Sequence, residues 1–201
     1  TTGIITNEGF VDVFEVGRYD RPYDEMFNPL YARPDPLVPR ARRLGVPGRL
    51  DAAGEELEPI DPAAVAAAAD TLVEEYDCGA IAVCLLHSYQ NPRHERTVGE
   101  IVRERHPGVS VSLSSALTRE YREYERTSTT VMDAYIKPIF DSYVTELDGR
   151  LADAGFDGTF FLTRSGGGAL AAESATEMPV NTVLSGPAGG IIGAAAIADS
   201  T

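Results

Sequence analysis

Ala80-Ile81-Ala82-Val83-Cys84-Leu85-Leu86 is the stretch on which the fold turns. It is apolar throughout and has turn-forming residues on both sides. A strand with one solvated face alternates, whereas a strand covered on both faces need not, so this run reads as a strand inside a parallel sheet. On its amino side, Asp61-Pro62 opens a helix, with Asp as the cap and Pro at the first helical position. Val65, Ala69, Leu72, Val73 and Tyr76 form the apolar stripe of that helix. On its carboxyl side, His87 to Pro92 is a polar loop, and Asn91-Pro92 opens a second helix with Val98, Ile101 and Val102 toward the core. Pro107-Gly108 ends that helix and Val109 to Leu113 reads as the next strand. This alternation predicts an α/β fold, a mostly parallel sheet flanked by helices.

Further along, Leu113 to Tyr135 reads as a strand end, a Ser-rich turn and a long helix that is bent or restarted at Pro138. Tyr121, Tyr124, Ser128, Val131 and Tyr135 step by three and four and are expected on one face. Thr127 to Thr130 are four consecutive hydroxyl residues, a costly run inside a helix, so close packing or polar contacts should compensate. Thr159 to Thr163 is expected as another buried strand, and a short helix and Asn181 to Leu184 then lead to the last helix. Before the first helix, residues 3–17 alternate well enough for two short strands around Asn7-Glu8-Gly9. The Pro-rich segment that follows reads as an extended arm lying on the fold.

In open parallel sheets, ligands collect at the carboxyl ends of the strands. Four such ends are expected to carry HSYQNP, SSALT, RSGGG and SGPAGG. Ser185-Gly186 to Gly189-Gly190 opens a helix, where backbone amides favour an anion. It lacks the Gly-Lys-Ser/Thr of a P-loop, and tight helix–sheet packing explains the glycines equally well. Ser165 with Gly166, Gly167 and Gly168 permits close backbone approach or simply a flexible turn. His87 and His94 flank the loop–helix junction as candidates for substrate contact, capping or packing. No third ligand of metal spacing accompanies them, so no metal site is assigned. Glu120, Glu123 and Glu125 interleave with Arg119, Arg122 and Arg126 and read as a solvated ion-pair face, with Glu123 kept as a candidate catalytic carboxylate.

The net charge of −14 with a single lysine, Lys137, argues against nucleic-acid binding and would suit a salt-rich cytoplasm. No run approaches the roughly 18 apolar residues of a membrane span, and Cys78 and Cys84 read as buried free thiols of a reducing compartment.

TNEGFVDVFEVGR, RPYD, PLVPR, VCLLHSYQNPRHE, LSSALTREYREYERTSTTVMDAYIKP, SGGG and LSGPAGGIIGAA stand in order across nearly the whole chain. As an ordered set they resemble the hydantoinase A/5-oxoprolinase family, which includes N-methylhydantoinase A and the nucleotide-handling subunits of acetone and acetophenone carboxylases. Gly166 departs from the family pattern, which usually has Asn there. The resemblance implies a ribonuclease-H-like fold of the actin/Hsp70/sugar-kinase type, incomplete here. It implies a cytoplasmic enzyme using ATP and Mg2+ to phosphorylate a carbonyl oxygen and hydrolyse a cyclic amide, with a B-type partner subunit; self-association stays open. Family phosphate loops that would lie before residue 1 and after residue 201 are not in the chain, so it is expected to be an internal piece, inactive alone. Residues 1–180 would belong to the N-terminal-type domain and 181–201 to the start of the core domain. Ser165, Gly167, Gly168, Ser185, Gly186 and Gly189 would face the nucleotide. The alternatives are a ketone carboxylase subunit, a non-catalytic docking module that uses the arm from Arg21 to Arg40, and a sugar-kinase relative.

Overall fold

The computed structural model describes residues 1–18 and 21–199. In chain order the strands are β1 (Thr2–Asn7), β2 (Arg43–Val46), β3 (Arg49–Leu50), β4 (Glu56–Glu58), β5 (Ala80–Val83), β6 (Ser110–Leu113), β7 (Phe161–Thr163) and β8 (Ala169–Ala171). The helices are α1 (Val13–Val16), α2 (Pro62–Asp70), α3 (Arg93–Arg105), α4 (Ser114–Leu117), α5 (Glu123–Asp153), α6 (Ala172–Glu177) and α7 (Ser185–Asp199). The chain divides into two compact units, Thr1–Tyr135 and Ile136–Thr201.

The first unit is a four-stranded sheet in the order β2-β1-β5-β6, every pair parallel. Asp61 caps α2, its side chain accepting from the Ala63 amide at 2.9 Å, with Pro62 as first helical residue. α2 continues through a widened turn at Thr71–Glu75. Ile5, Ile81 and Val83 on one sheet face pack with Val65, Ala69, Leu72, Val98 and Val102 from α2, its extension and α3. Ile4, Ala80 and Ala82 on the other face pack with Val131 and Ala134 of α5. Both faces are therefore covered, which is why Ala80 to Leu86 carries no polar residue.

Four expectations are corrected. Residues 3–17 supply one strand, not two: β1 is bonded to β2 on one side and β5 on the other, so no edge remains for a hairpin partner. The chain instead makes the single turn α1, and Phe10 and Phe14 lie against the guanidinium groups of Arg49 and Arg43. Tyr121, Tyr124, Ser128, Val131 and Tyr135 do not all share one face of α5. Tyr121 precedes the helix, and Tyr121 and Tyr135 are both exposed. The buried face is Thr127, Thr130, Val131 and Ala134, whose small side chains admit the alanines of β5. Thr129 and Thr130 donate back to the carbonyls of Glu125 and Arg126, at 2.9 and 2.7 Å, so half of the hydroxyl run is satisfied inside its own helix, and Thr127 bonds outward to Cys84.

The other two corrections fall in the second unit. Thr159 to Thr163 does not enter the parallel sheet: β7 is mostly exposed and folds back on β8 as an antiparallel hairpin. Gly167 (φ 87°) and Gly168 (φ 79°) provide the left-handed backbone for that tight return. Asn181 to Leu184 is not a strand either. Pro179–Thr182 is a 3-10 turn, and Leu184 at φ 64° breaks any extended run before α7. No described helix is long and apolar enough to cross a membrane.

Candidate functional site

The carboxyl ends of the parallel strands are fastened by side chains rather than by more sheet. Asn7, closing β1, accepts from the Leu86 amide at 2.7 Å and donates to the Gly48 carbonyl at 2.5 Å. Glu95, in the first turn of α3, is fully buried and binds the ends of β5 and β6 together. Its carboxylate accepts from the Leu85 amide (2.9 Å), the Ser114 hydroxyl (2.5 Å) and the Ser115 amide (2.7 Å). Ser114 in turn accepts from Nη1 of Arg126 at 3.0 Å, and Arg126 also donates to Ser88. A buried carboxylate and a buried guanidinium thus face one serine hydroxyl from opposite sides. Thr127 adds a hydrogen bond to Cys84 Sγ at 3.1 Å, and burial pushes the Cys84 thiol up.

Arg126 stands outside the solvated face expected for most of the Arg/Glu run, since it is only 1% exposed. Arg18, Arg122 and Glu125 do form exposed ion pairs. Neither Glu95 nor Arg126 was singled out by sequence reasoning. Glu95, Val98, Gly99 and Val102 sit at i, i+3, i+4 and i+7, so the stripe itself could have marked Glu95 as buried.

Of the candidates in this unit, His87 lies in the loop after β5, beside Ser88, with its ring 6.0 Å from that of Tyr89. His94 is buried on α3 and its Nε2 lies 2.6 Å from Glu56 of β4, an engagement that lowers the Glu56 carboxyl below its ordinary range. Glu123 is part-buried at the first turn of α5.

The glycine-rich candidates form a second cluster, within the second unit. Ser165 donates from its amide to the Asn181 carbonyl at 2.7 Å, and from its hydroxyl to Asn181 (2.8 Å) and Val183. The hairpin turn carrying Gly167 and Gly168 is thereby tied to the residues that lead into Ser185, Gly186 and Gly189. A Cβ at Gly167 would stand 2.9 Å from the Cδ1 tip of the half-exposed Ile192 side chain of α7, which can move aside, so the positive φ is the stronger demand for glycine there. The four loops expected at four strand ends therefore fall into two pairs. HSYQNP and SSALT end parallel strands of the first unit; RSGGG is a hairpin turn and SGPAGG a helix start in the second.

Two family models match the chain, the hydantoinase/oxoprolinase N-terminal region over residues 1–106 and hydantoinase/oxoprolinase over residues 126–201. An uncharacterised protein of Methanocaldococcus jannaschii is 38% identical over 96% of this chain and 28% of its own length. Caprolactamase subunit alpha of Pseudomonas jessenii is 32% identical over 92% of this chain and 27% of its own length. The crystal structure of that ATP-dependent caprolactamase superimposes with a TM-score of 0.77 over 90% of this chain and 27% of the structure's, at 29% identity. The nucleotide-free structure of acetone carboxylase, an enzyme of ATP-dependent acetone carboxylation, reaches 0.86 over 99% of this chain and 29% of the structure's, at 28% identity. The chain thus spans under a third of the length of these relatives.

Proposed function

The chain belongs to the hydantoinase/oxoprolinase family, and from that premise we propose that it forms part of an ATP-dependent subunit that opens cyclic amides of the hydantoin or 5-oxoproline type. The observation that carries this reading is the likeness along nearly all of the chain to two ATP-dependent enzymes, a caprolactamase and an acetone carboxylase. A lactam and a ketone share a carbonyl whose oxygen can take a phosphoryl group. An amide carbonyl is a poor electrophile, and ATP, with Mg2+, supplies the phosphoryl group that makes its oxygen a leaving group.

Ser165, Gly167, Gly168, Ser185, Gly186 and Gly189 are the residues proposed to face the nucleotide. The bareness of α7 supports them. A Cβ at Gly186, Gly190 or Gly193 would meet nothing within 4 Å among the described residues. An interior helical glycine costs about 1 kcal/mol against alanine, and packing against the described residues does not require it at Gly190 or Gly193. A phosphate, or another backbone, brought close to the helix would. His87 is the catalytic candidate carried forward, since His94 is engaged by Glu56 and Glu123 lies beside the Arg18–Glu125 ion pair. The same reading places the protein in the cytoplasm with a B-type partner subunit and a small-molecule substrate.

The test is ADP release by the native protein with Mg-ATP and, in turn, hydantoin, 5-oxoproline, and acetone with bicarbonate. ADP together with a ring-opened acid is the expected result. Turnover of the ketone alone would establish the carboxylase alternative. A phosphorylated sugar as product would establish the sugar-kinase alternative. No ADP with any of these compounds would end the reading.

A second reading, a docking module, is favoured by the arm. Tyr23, Phe27 and Leu30 are 87%, 90% and 87% exposed. The arm presenting them is pinned by Arg33 to the carbonyls of Glu15 and Val16 and by Arg40 to Asp12. Co-purification with a B-type subunit, lost when Phe27 and Leu30 become serine while ADP release persists, is the outcome this reading requires.

A further inference from the structure

Half of the Arg126 guanidinium is unused by the network around Glu95. Nη1 serves Ser114 and Ser88, but Nε and Nη2 have no acceptor among the described residues, although both are buried. Nε and Nη2 form the side-on edge of the fork, two parallel N–H groups spaced for the two oxygens of one oxyanion. The same edge holds a carboxylate twice elsewhere in the chain. Arg18 grips Glu125 through Nε at 2.8 Å and Nη2 at 2.5 Å. Arg105 grips Asp70 through Nε and through Nη2 at 2.6 Å. A buried charged donor left without an acceptor is disfavoured, so such an edge calls for an occupant.

The surroundings narrow the class of occupant. The Tyr89 ring lies 5.7 Å from the Arg126 guanidinium carbon, and Tyr89 belongs to the short loop after β5. Its neighbour His87 holds φ at 59°, an uncommon backbone outside glycine, and keeps a buried Nδ1 with no partner among the described residues. Within the turn the His87 carbonyl accepts from the Gln90 and Asn91 amides at 3.0 and 3.2 Å, and Asn91 donates to the Gly54 carbonyl at 2.8 Å. Glu95 already sets one negative charge across Ser114 from Arg126, so a singly charged guest suits the site better than a dianion.

We propose that the Nε–Nη2 edge of Arg126 seats a small planar monoanion, a carboxylate or bicarbonate, beneath the His87–Tyr89 turn. The site goes beyond the reaction proposed above and stands whether or not the protein opens cyclic amides. The test is calorimetric titration of the native protein with sodium acetate and with sodium bicarbonate, against a chloride background of constant ionic strength and with inorganic phosphate for comparison. One saturable site per chain is expected for at least one of the two monoanions, and weaker binding of phosphate. Arg126→Lys keeps the charge and removes the fork, and should weaken binding at least about tenfold. Arg105→Lys, whose edge is filled by Asp70, should leave binding unchanged. Should Arg126→Lys fail to fold, Tyr89→Ala decides: loss of the covering ring weakens binding by about threefold or more if the site lies beneath it. No saturable heat in the native protein, phosphate bound as well as the monoanions, or affinity unchanged in the folded variants would each overturn the proposal. An arginine edge filled by a side chain or by water gives the first of these results.

Discussion

One carboxylate, that of Glu95, does at the strand ends what hydrogen bonding between strands does further back in the sheet. It accepts two amides and one hydroxyl, which leaves little room for an isosteric amide. Glu95→Gln turns an acceptor into a donor aimed at existing donors and removes the negative charge opposite Arg126. The expected loss is about 2–4 kcal/mol, read as a lower urea midpoint at unchanged slope. A shift under about 0.5 kcal/mol would mean that the strand ends hold without it. Two ion-paired carboxylates contribute to the acid limb. Hydrogen bonding to Arg105, then to His106, holds Asp70 at about 2 against an ordinary 3.8. Hydrogen bonding to Arg18 holds Glu125 at about 2 against an ordinary 4.5. A carboxyl depressed on folding stabilises the fold above its unfolded value, and that contribution is lost as pH falls through the folded value. Stability is therefore expected to decline between about pH 4.5 and 2, with a flatter decline in the Arg18→Ala, Arg105→Ala variant. Denaturation curves of equal pH slope in variant and parent would refute the assignment.

Elements with one dominant local signal were readable from sequence, and elements whose conformation is decided by distant partners were not. α2 belongs to the first kind. Asp61-Pro62 and the stripe from Val65 to Leu72 specify its start and its buried face without help from the rest of the chain. Asp61→Ala should cost about 1 kcal/mol, measured by thermal or urea unfolding, because the Ala63 amide loses its acceptor. A neutral result would show that the fixed φ of Pro62 alone holds that end. Ala80 to Leu86 was equally plain, since an unbroken apolar run after a helix has few homes other than a parallel sheet covered on both faces. α1 is the opposite case. Phe10, Val11, Val13 and Phe14 fit a strand or a turn of helix equally well, and only the occupation of both edges of β1 by β2 and β5 settles it. β7 was expected as a buried strand, whereas its partner is chosen by the glycines that follow it. The site shows the same division. His87 and the glycine loops carry local signals, but Arg126 sits in an alternating Arg/Glu run that looks solvated until α5 is laid against β5 and Ser88 and Ser114 come within reach.

At the scale of the whole chain, charge outweighs any single contact. A net charge of −14 on 201 residues means that most surface carboxylates have acidic neighbours and few cations to offset them. Salt acts on this in two directions. It weakens exposed pairs such as Arg18–Glu125 and Arg105–Asp70, whose attraction water already screens. It also screens repulsion among the excess acids, as the screening length shrinks from about 10 Å at 0.1 M to about 3 Å at 1 M. Arginines are too few for the first effect to dominate, and two are committed where salt reaches poorly: Arg43 and Arg126 are buried. Raising KCl from low to molar concentration should therefore stabilise the protein by about 1 kcal/mol, a rise of about 2–4 °C in the first unfolding midpoint. Calorimetric scans in KCl and in a matched series of a less chaotropic salt separate screening from general exclusion effects. A midpoint that falls with KCl would show that the ion pairs outweigh the repulsion, and the link between the acidic surface and a salt-rich cytoplasm would be withdrawn. A midpoint that rises would leave the surface field as the barrier that an anionic ligand must cross to reach Arg126 or the glycine-lined start of α7, so anion binding should then tighten over the same KCl range in which stability rises.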